Sequence, residues 1–402
     1  MKTRKCYWWL GLVSWLGLGV CECLQQSFAE PALAQQQVIA DPTLGTAVTG
    51  NGTTFEITGG TTVGERNLFH SFSRFDVPVG GSADFLNNPA IVNIFSRVTG
   101  GTPSDIQGLV RTRGNANLFL MNPSGIVFGR DAQLDIGGSF VATTANAIAF
   151  PGGEFSLNSS VSPENTLLSV NSSAFLFNQI SAQSITNQST TGLQVRDGKS
   201  LLLVGGDIRL DGGVLFAPGG RVELGGVAGS GIVGLNVDEN LHLSFPDRLA
   251  RADIFLTNNG AVNTSGEGGG DIQVYGNNVT LANRSFIFSD TLGSQNGKGV
   301  FIRASKLDMS GGSNISASTV NSGNAGNVQI QASDAVAITD LNSSISSVVT
   351  ESAMGSGGNI TIEARRLTTR NGGQVLTNTN TLGDKPGGNI TVTALGCKRR
   401  SY

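Results

Sequence analysis

A repeat of about 30 residues in the C-terminal third of the chain is the sequence feature that most restricts its fold. Each unit opens with glycine and a stretch in which polar and apolar residues alternate, as in Gly358-Asn359-Ile360-Thr361-Ile362. The equivalent apolar positions, separated by 28, 28, 32 and 30 residues, are Ile272, Val300, Val328, Ile360 and Ile390. Short alternating stretches bounded by Gly, Asn, Ser or Asp are typical of β-strands joined by turns.

One such unit cannot bury its own apolar face, whereas units stacked on one another form a continuous core. The repeat therefore predicts an all-β fold, a right-handed parallel β-helix (solenoid) with successive strands about 4.7–4.9 Å apart. An antiparallel sandwich also has short strands and many turns, but the fixed period favours the solenoid. A leucine-rich repeat is disfavoured because helical windows are scarce, the best being a weak one at residues 247–256.

Composition excludes several classes of protein. Only 14% of the residues are charged and the formal net charge is −3, so nothing in the charge balance favours binding to nucleic acid. The 56 glycines follow no Gly-X-Y period, which excludes collagen and indicates many turns. His70 and His242 are the only histidines, so a multi-histidine metal site is excluded. We expect no metal and no cofactor.

Residues 1–34 have the features of a secretory signal peptide. A positively charged start precedes an almost wholly apolar stretch at residues 7–20, and Ala32 and Ala34 supply the small residues that a signal peptidase reads. Cleavage is predicted after Ala34; a retained membrane anchor is the alternative, although the apolar run is short for a spanning helix. After cleavage Cys397 is the one remaining cysteine, so no internal disulfide is expected.

Candidate enzymatic motifs favour structural roles. The Gly-x-Gly-x-x-Gly pattern at residues 229–234 is not followed by a helix, as a dinucleotide site would require. Polysaccharide lyases and hydrolases also use parallel β-helices, but they need clustered carboxylates with Arg or Lys. Acidic residues are thinly spread here, with Asp238-Glu239 the only adjacent pair, so we assign no catalytic residue. His70 is expected to be a strand residue of a terminal cap.

Three Phe-containing segments and one turn motif resemble a known family. The segments are Asn67-Leu68-Phe69-His70-Ser71-Phe72-Ser73-Arg74-Phe75, Asn93-Ile94-Phe95-Ser96-Arg97-Val98-Thr99-Gly100-Gly101 and Asn117-Leu118-Phe119-Leu120-Met121-Asn122-Pro123-Ser124-Gly125-Ile126-Val127-Phe128-Gly129. They closely resemble the haemagglutination-activity, or two-partner secretion, domain of filamentous-haemagglutinin-like exoproteins, in the style of the cyanobacterial branch. The resemblance is strong over residues 38–160 and looser through the repeats.

Two short motifs carry the resemblance at residue level. Asn122-Pro123-Ser124-Gly125-Ile126 matches the family's Asn-Pro-Asn-Gly-Ile motif with Ser124 in place of the second Asn. Asn115-Ala116-Asn117-Leu118 is similar to a second family motif, Asn-Pro-Asn-Leu. The resemblance implies that these residues contribute to recognition by a transporter. They could equally only shape turns, since Asn, Pro and Gly are turn-forming residues.

The resemblance also implies an export route. The chain would cross the inner membrane by the general secretory machinery and then engage a partner outer-membrane β-barrel transporter through its N-terminal domain. The solenoid would pass out unfolded and coil up outside the cell. The expected product is a secreted or surface-bound, non-enzymatic, adhesin-like exoprotein, with a host or neighbouring-cell surface as a further partner and no nucleic-acid partner. A polysaccharide lyase or hydrolase and a purely structural surface protein remain the alternatives.

The sequence thus predicts five regions. Residues 1–34 form the signal peptide, 35–160 the secretion domain with its cap and first coils, 161–265 an irregular continuation of the β-helix, 266–396 the repeats, and 397–402 an off-pattern tail. Because the tail breaks the repeat, we expect a truncated chain with an uncapped last coil. Such a coil exposes apolar surface and a sheet edge, which predicts association at that end.

Overall fold

The computed structural model describes residues 37–164, 168–169, 171–237, 240–379 and 386–394. The predicted signal peptide with Ala32 and Ala34, the pair Asp238-Glu239 and the tail at 397–402 lie outside the described residues. Within these described ranges, no helix is long and apolar enough to cross a membrane.

Almost all regular structure is β-strand, and most strands pair in parallel with the equivalent strand of the next coil. We name the three sides of the stacked coils face 1, face 2 and face 3. Face 1 consists of Asn67–Phe75, Asn93–Val98, Asn117–Met121, Phe140–Thr143, Ser200–Gly205, Arg221–Gly226, Asp271–Tyr275, the first parts of Gly299–Met309, Asn327–Thr339 and Ile360–Arg370, and Ile390–Ala394. The prediction of an all-β parallel β-helix is confirmed.

The other two faces complete each coil. Face 2 consists of Ser104–Ile106, Ile126–Phe128, Ile185–Asn187, Ile208–Asp211, Ile254–Thr257, Asn278–Leu281 and the second parts of Gly299–Met309, Asn327–Thr339 and Ile360–Arg370. Face 3 consists of Thr54–Gly59, Ser82–Phe85, Leu109–Thr112, Gln133–Asp135, Leu193–Gln194, Val214–Phe216, Ala261–Asn263, Phe286–Phe288, Asn314–Ser316, Ser344–Val349 and Gln374–Thr379.

A single column of apolar side chains shows how the coils stack. These residues pair successively along face 1 and point into the core: Leu68, Ile94, Leu118, Phe140, Leu201, Val222, Ile272, Val300, Val328 and Ile360. The column includes the predicted repeat positions, and Ile360 pairs onward with Ile390. The sequence period therefore equals the structural coil.

A cap precedes the first coil, as the sequence predicts, and the structure shows that its strands pair antiparallel. The strands Val38–Ala40 and Thr61–Val63 pair antiparallel with Asn67–Phe75, and Thr46–Gly50 pairs antiparallel with Thr54–Gly59. A 3-10 helix, Pro42–Leu44, follows the first of these strands. The cap therefore occupies the strand edge that the first parallel coil would otherwise expose.

Two insertions interrupt the coil period before the repeats. The column spacing rises to 61 residues between Phe140 and Leu201 and to 50 between Val222 and Ile272. The inserted strands form one antiparallel sheet, which we name the side sheet, in the order Gly153–Ser156, Ala147–Phe150, Ala174–Phe177, Gly231–Val237 and Leu241–Ser244. The region expected as irregular β-helix therefore combines regular coils with this second sheet.

The side sheet creates a second hydrophobic core. It covers the outer surface of face 1, so strands such as Asn93–Val98 and Phe140–Thr143 are buried on both sides. Phe69, Phe95 and Phe119 stack along this surface, with ring centroids 5.1 and 4.6 Å apart. Strands buried on both faces read as continuous apolar runs rather than alternations, which is why this region lacks the clean pattern of the repeats.

Two local expectations can be compared with the structure. The Gly-x-Gly-x-x-Gly pattern enters the antiparallel strand Gly231–Val237 and no helix follows it in the described residues, in agreement with the turn-and-strand interpretation. The weak helical window ends in the strand Ile254–Thr257.

In the last described strand, Ile390 and Val392 are 43% and 47% exposed. Association through that strand stays a prediction.

Candidate functional site

The first predicted motif forms a tight turn between face 1 and face 2. The Gly125 amide donates to the Asn122 carbonyl at 3.0 Å, and the Ser124 amide donates to Asn122 Oδ1 at 2.9 Å. Asn at the first position, Pro at the second and Gly at the fourth are the residues that a type I turn favours. Gly125 has a φ of +112°, a backbone conformation that is strained for any residue other than glycine. Ile126 then enters face 2 as a core residue.

The Asn122 side chain is completely buried and fully hydrogen-bonded. Its Nδ2 donates to the Thr102 carbonyl at 3.0 Å and to Ser104 Oγ at 2.9 Å, both in the preceding coil. Its backbone amide donates to the Thr143 carbonyl of the next coil at 2.9 Å. Asn122 therefore joins three successive coils, and in the folded chain its side chain has no surface that another protein could touch.

The residues of the second motif lie in three different environments. Asn115 is exposed in the turn that precedes the strand Asn117–Met121. Asn117 is half-buried at the first position of that strand, and Leu118 is a core residue of the apolar column. The structure therefore separates Asn115, which is accessible, from Asn117 and Leu118, which stabilise stacking.

Asn117 belongs to an asparagine ladder that the sequence reasoning missed. Asn117 Nδ2 donates to Asn93 Oδ1, and Asn93 Nδ2 donates to Asn67 Oδ1, each at 2.9 Å. The ladder continues at one end to the Leu168 carbonyl (2.8 Å) and at the other to the Ser139 amide (2.7 Å). Its signal was visible, because each of the three Phe-containing segments begins with Asn followed by Leu or Ile and then Phe.

Arg97 is the largest fully buried side chain near this region. Its guanidinium donates to Ser71 Oγ at 2.9 Å, to Thr43 Oγ1 at 3.1 Å, and to the carbonyls of Ser156 and Ser159. These partners belong to face 1, the cap and the segment around the side-sheet edge. One buried cation thus ties together three parts of the N-terminal region that are distant in sequence.

A second polar tie holds the opposite edge of the side sheet. The buried Glu223 carboxylate accepts from Arg221 at 2.6 Å and from the Leu243 amide at 2.8 Å. Arg221 also pairs with Asp271 of the next coil at 2.7 Å. Burial raises the pKa of Glu223 to about 7, because desolvation of the charged form outweighs the stabilising contacts with Arg221 and the Leu243 amide.

His70 is a strand residue, as expected, but its strand Asn67–Phe75 belongs to the first coil and pairs with the cap instead of lying within it. Its Nδ1 lies 3.2 Å from Thr46 Oγ1, and its ring packs against Phe72 and Phe85. Burial lowers the pKa of His70 to about 4, so the ring is neutral at pH 7. Within the described ranges, no group of three or more His, Cys, Asp or Glu side chains is placed to hold a metal ion.

The family model described as TPS secretion domain matches residues 36–274, which is more than half of the chain. The chain belongs to the TPS secretion domain family. This TPS domain match includes the cap, both polar ties, the ladder and the whole side sheet. The match extends past residue 160, which the sequence predicts as the end of the secretion domain. That boundary stays a prediction.

Solved structures resemble the TPS chain at low sequence identity. The secretion domain of HMW1 from Haemophilus influenzae aligns with a TM-score of 0.54 and 17% identity, covering 89% of this chain and 99% of that one. The filamentous hemagglutinin secretion domain aligns with a TM-score of 0.41 and 14% identity, covering 89% and 100%. The HMW1 likeness concerns the fold alone. Comparison with curated proteins gives no match.

Membership of the TPS family identifies the chain as a secreted exoprotein, exported through a partner transporter of the outer membrane. The predicted membership of the two-partner secretion family is therefore confirmed, whereas the role of the Asn122 motif stays a prediction. Which residues contact the transporter is a separate question, for which the geometry of Asn122 and Asn115 provides the starting point.

Proposed function

We propose that this TPS exoprotein is a non-enzymatic, adhesin-like surface protein that reaches the partner transporter by way of the periplasm after passage through the general secretory machinery. The observation that carries the proposal is the family match over the structurally elaborate N-terminal region. The parallel coils beyond that region carry outward-facing polar side chains such as Lys306, Asp308 and Gln329, which suit a binding role at a cell surface.

The alternative of a β-helix lyase or hydrolase requires an accessible cluster of acidic and basic side chains. Arg221, Glu223 and Asp271 form a cluster of acidic and basic side chains on adjacent coils, but the cluster is not accessible. Glu223 is completely buried beneath the side sheet and bonded to the Leu243 amide, so a polysaccharide cannot reach it. This cluster therefore supports a structural role.

We further propose that Asn122 serves export by fixing the turn rather than by touching the transporter. Burial of its side chain and its bonds to neighbouring coils support this role. Recognition would then depend on the folded surface that the turn, the ladder and the Arg97 tie hold in place. Asn115 is the exposed residue of the two motifs and is the better candidate for direct contact.

The experiment is secretion of the epitope-tagged full chain from a Gram-negative host, with and without a candidate partner barrel. Asn122→Ala is compared with Ser104→Ala, which removes one of the Asn122 hydrogen bonds from the other side while leaving the motif intact. Asn115→Ala tests the exposed position, and Ser124→Asn restores the family's motif. The thermal stability of each purified chain is measured in parallel.

We expect partner-dependent export, reduced by Asn122→Ala and by Ser104→Ala in proportion to their loss of stability, and unchanged or improved by Ser124→Asn. A large export defect in Asn122→Ala without loss of stability would make Asn122 a contact residue and overturn the turn-shaping role. Retention in the periplasm with a matched barrel would overturn the export proposal, and a screen for polysaccharide cleavage would then be justified.

A further inference from the structure

An open trough of about 440 Å³ runs across the outer surface of face 2 in the repeats, outside the family-matched region. Its floor is the middle of three adjacent coils, where the outward positions are Ala335 and Ala337. The coil on one side places Lys306 and Asp308 opposite them, and the coil on the other side places Arg366 and Thr368. We name this feature the alanine trough.

The alanine floor creates the depression. Outward side chains of neighbouring coils stand in columns about 4.7–4.9 Å apart, so two long side chains separated by one alanine are about 10 Å apart. Lys306 and Arg366 are separated in this way across Ala335. Arg370 lies on the same strand as Arg366, two outward positions further along and opposite Thr339, and extends the wall.

Most of the charged side chains that line the trough are cationic, and some of them form no ion pair within the described residues. Lys306 is about half exposed and pairs with Asp334 at 3.7 Å, whereas Arg366 and Arg370 are exposed and make no ion pair within the described part of the chain. Asp308 supplies an acceptor between the cationic groups. Guanidinium groups bind carboxylates through two parallel hydrogen bonds, and a carboxylate such as that of Asp308 can accept a hydrogen bond from a sugar hydroxyl.

We propose that the alanine trough binds an acidic polysaccharide, with Arg366 and Arg370 holding its carboxylates and Asp308 and Lys306 holding its hydroxyl groups. The trough is a depression of the surface and not an enclosed cavity, as a polymer requires. Its lining contains no aromatic side chain for base stacking, which disfavours single-stranded nucleic acid. It also contains no large exposed apolar residue, and three cations with one acid are too few for a lipid-surface patch.

This proposal gives the adhesin-like role a ligand class and rests on that proposed role for its biological meaning. Binding is measured on the purified full chain, so its outcome is independent of whether export requires the partner barrel. Secretion can succeed while binding fails, and the reverse also holds.

The experiment measures binding of size-fractionated alginate, a polymer of uronic acids, with neutral dextran and anionic phosphatidylglycerol vesicles as comparison probes. The variants are Arg366→Gln, Arg370→Gln and the floor-filling Ala337→Gln. The matched control is Arg365→Gln, an equal loss of charge at an exposed neighbouring residue that does not line the trough. Thermal unfolding of every variant confirms that the fold is retained.

We expect salt-sensitive alginate binding that weakens about fivefold in each arginine variant, the scale of one partly exposed charge contact. Ala337→Gln should weaken binding without changing the charge, and Arg365→Gln should bind as the wild type. Equal losses in Arg365→Gln and Arg366→Gln would reduce the effect to net charge and overturn the site. Absence of alginate binding, or equal binding of dextran or of the vesicles, would overturn the proposed ligand class.

Discussion

The polar tie at Glu223 predicts an unusual dependence of stability on pH. The pKa of this carboxyl is about 7 in the folded chain, against an ordinary value of 4.5, because the side chain is desolvated beneath the side sheet. The folded state therefore binds more protons than the unfolded state between pH 4.5 and 7. The stabilisation is fully present below pH 4.5 and is lost as the pH rises through 7.

The size of the effect follows from the shift. A difference of about 2.5 pKa units corresponds to about 3 kcal/mol in the free energy of unfolding at 1.36 kcal/mol per unit. Glu223→Gln keeps the shape of the side chain and an acceptor for the Leu243 amide but cannot titrate. We therefore expect the wild type to lose about 3 kcal/mol relative to Glu223→Gln between pH 4.5 and 7.

The assay is chemical unfolding at several pH values, recorded for the wild type, Glu223→Gln and the exposed control Glu154→Gln. The difference between curves is the informative quantity, because His70 titrates with the opposite sign in an overlapping range and is common to all three chains. Parallel curves would refute the reasoning. A wild type that gains stability with rising pH relative to Glu223→Gln would show that Arg221 outweighs desolvation.

Three further predictions concern the N-terminal region. Arg97→Met removes the buried hydrogen bonds to the cap and side sheet and should destabilise the chain by about 3 kcal/mol or more in urea unfolding, whereas Arg130→Met, at an exposed arginine, should cost less than about 1 kcal/mol. Phe119→Ala opens the second core and should cost about 3–5 kcal/mol by the same measurement. His70→Gln should remove a loss of about 3 kcal/mol that the wild type suffers as pH falls from 6.5 through 4, since the pKa of His70 is about 4.

The repeats could be predicted almost to the residue because one physical pattern determines them. Ile272, Val300, Val328 and Ile360 occupy the same column, and nothing is inserted into face 1 between consecutive members. The alternation of apolar and polar residues and the turn-forming residues therefore predict the same strand boundaries, so the local sequence is enough to predict each coil.

The side sheet could not be predicted in the same way because its pairing is between distant segments. Ala174 pairs with Gly234, 60 residues later, and no local pattern announces that partnership. Arg74 and Arg97 show that the local sequence also fails to predict the burial of single residues. Both follow a Phe-Ser pair, yet Arg97 is buried under the side sheet whereas Arg74 is partly exposed. Burial by an inserted element decides their roles.

The sequence identified the candidate motif at Asn122 and its turn chemistry, but not the burial of its side chain. The Asn122 motif was identified with its turn chemistry, and the turn is present. Its complete burial depends on contacts with the preceding and following coils, which only the stacked structure shows. The ladder at Asn67, Asn93 and Asn117 likewise exists only because the three strands are in register.

The side sheet also predicts where a minimal secretion domain must end. Ala174–Phe177 pairs with both Ala147–Phe150 and Gly231–Val237, so a chain that ends at residue 160 lacks the central strand. Phe95 and Phe119 would then lie exposed on the outer surface of face 1. We expect residues 35–274 to unfold cooperatively in urea and to resist protease, and residues 35–160 to do neither. Equal stability of the two fragments would show that the first coils and the cap fold without the second core, and would support the shorter boundary.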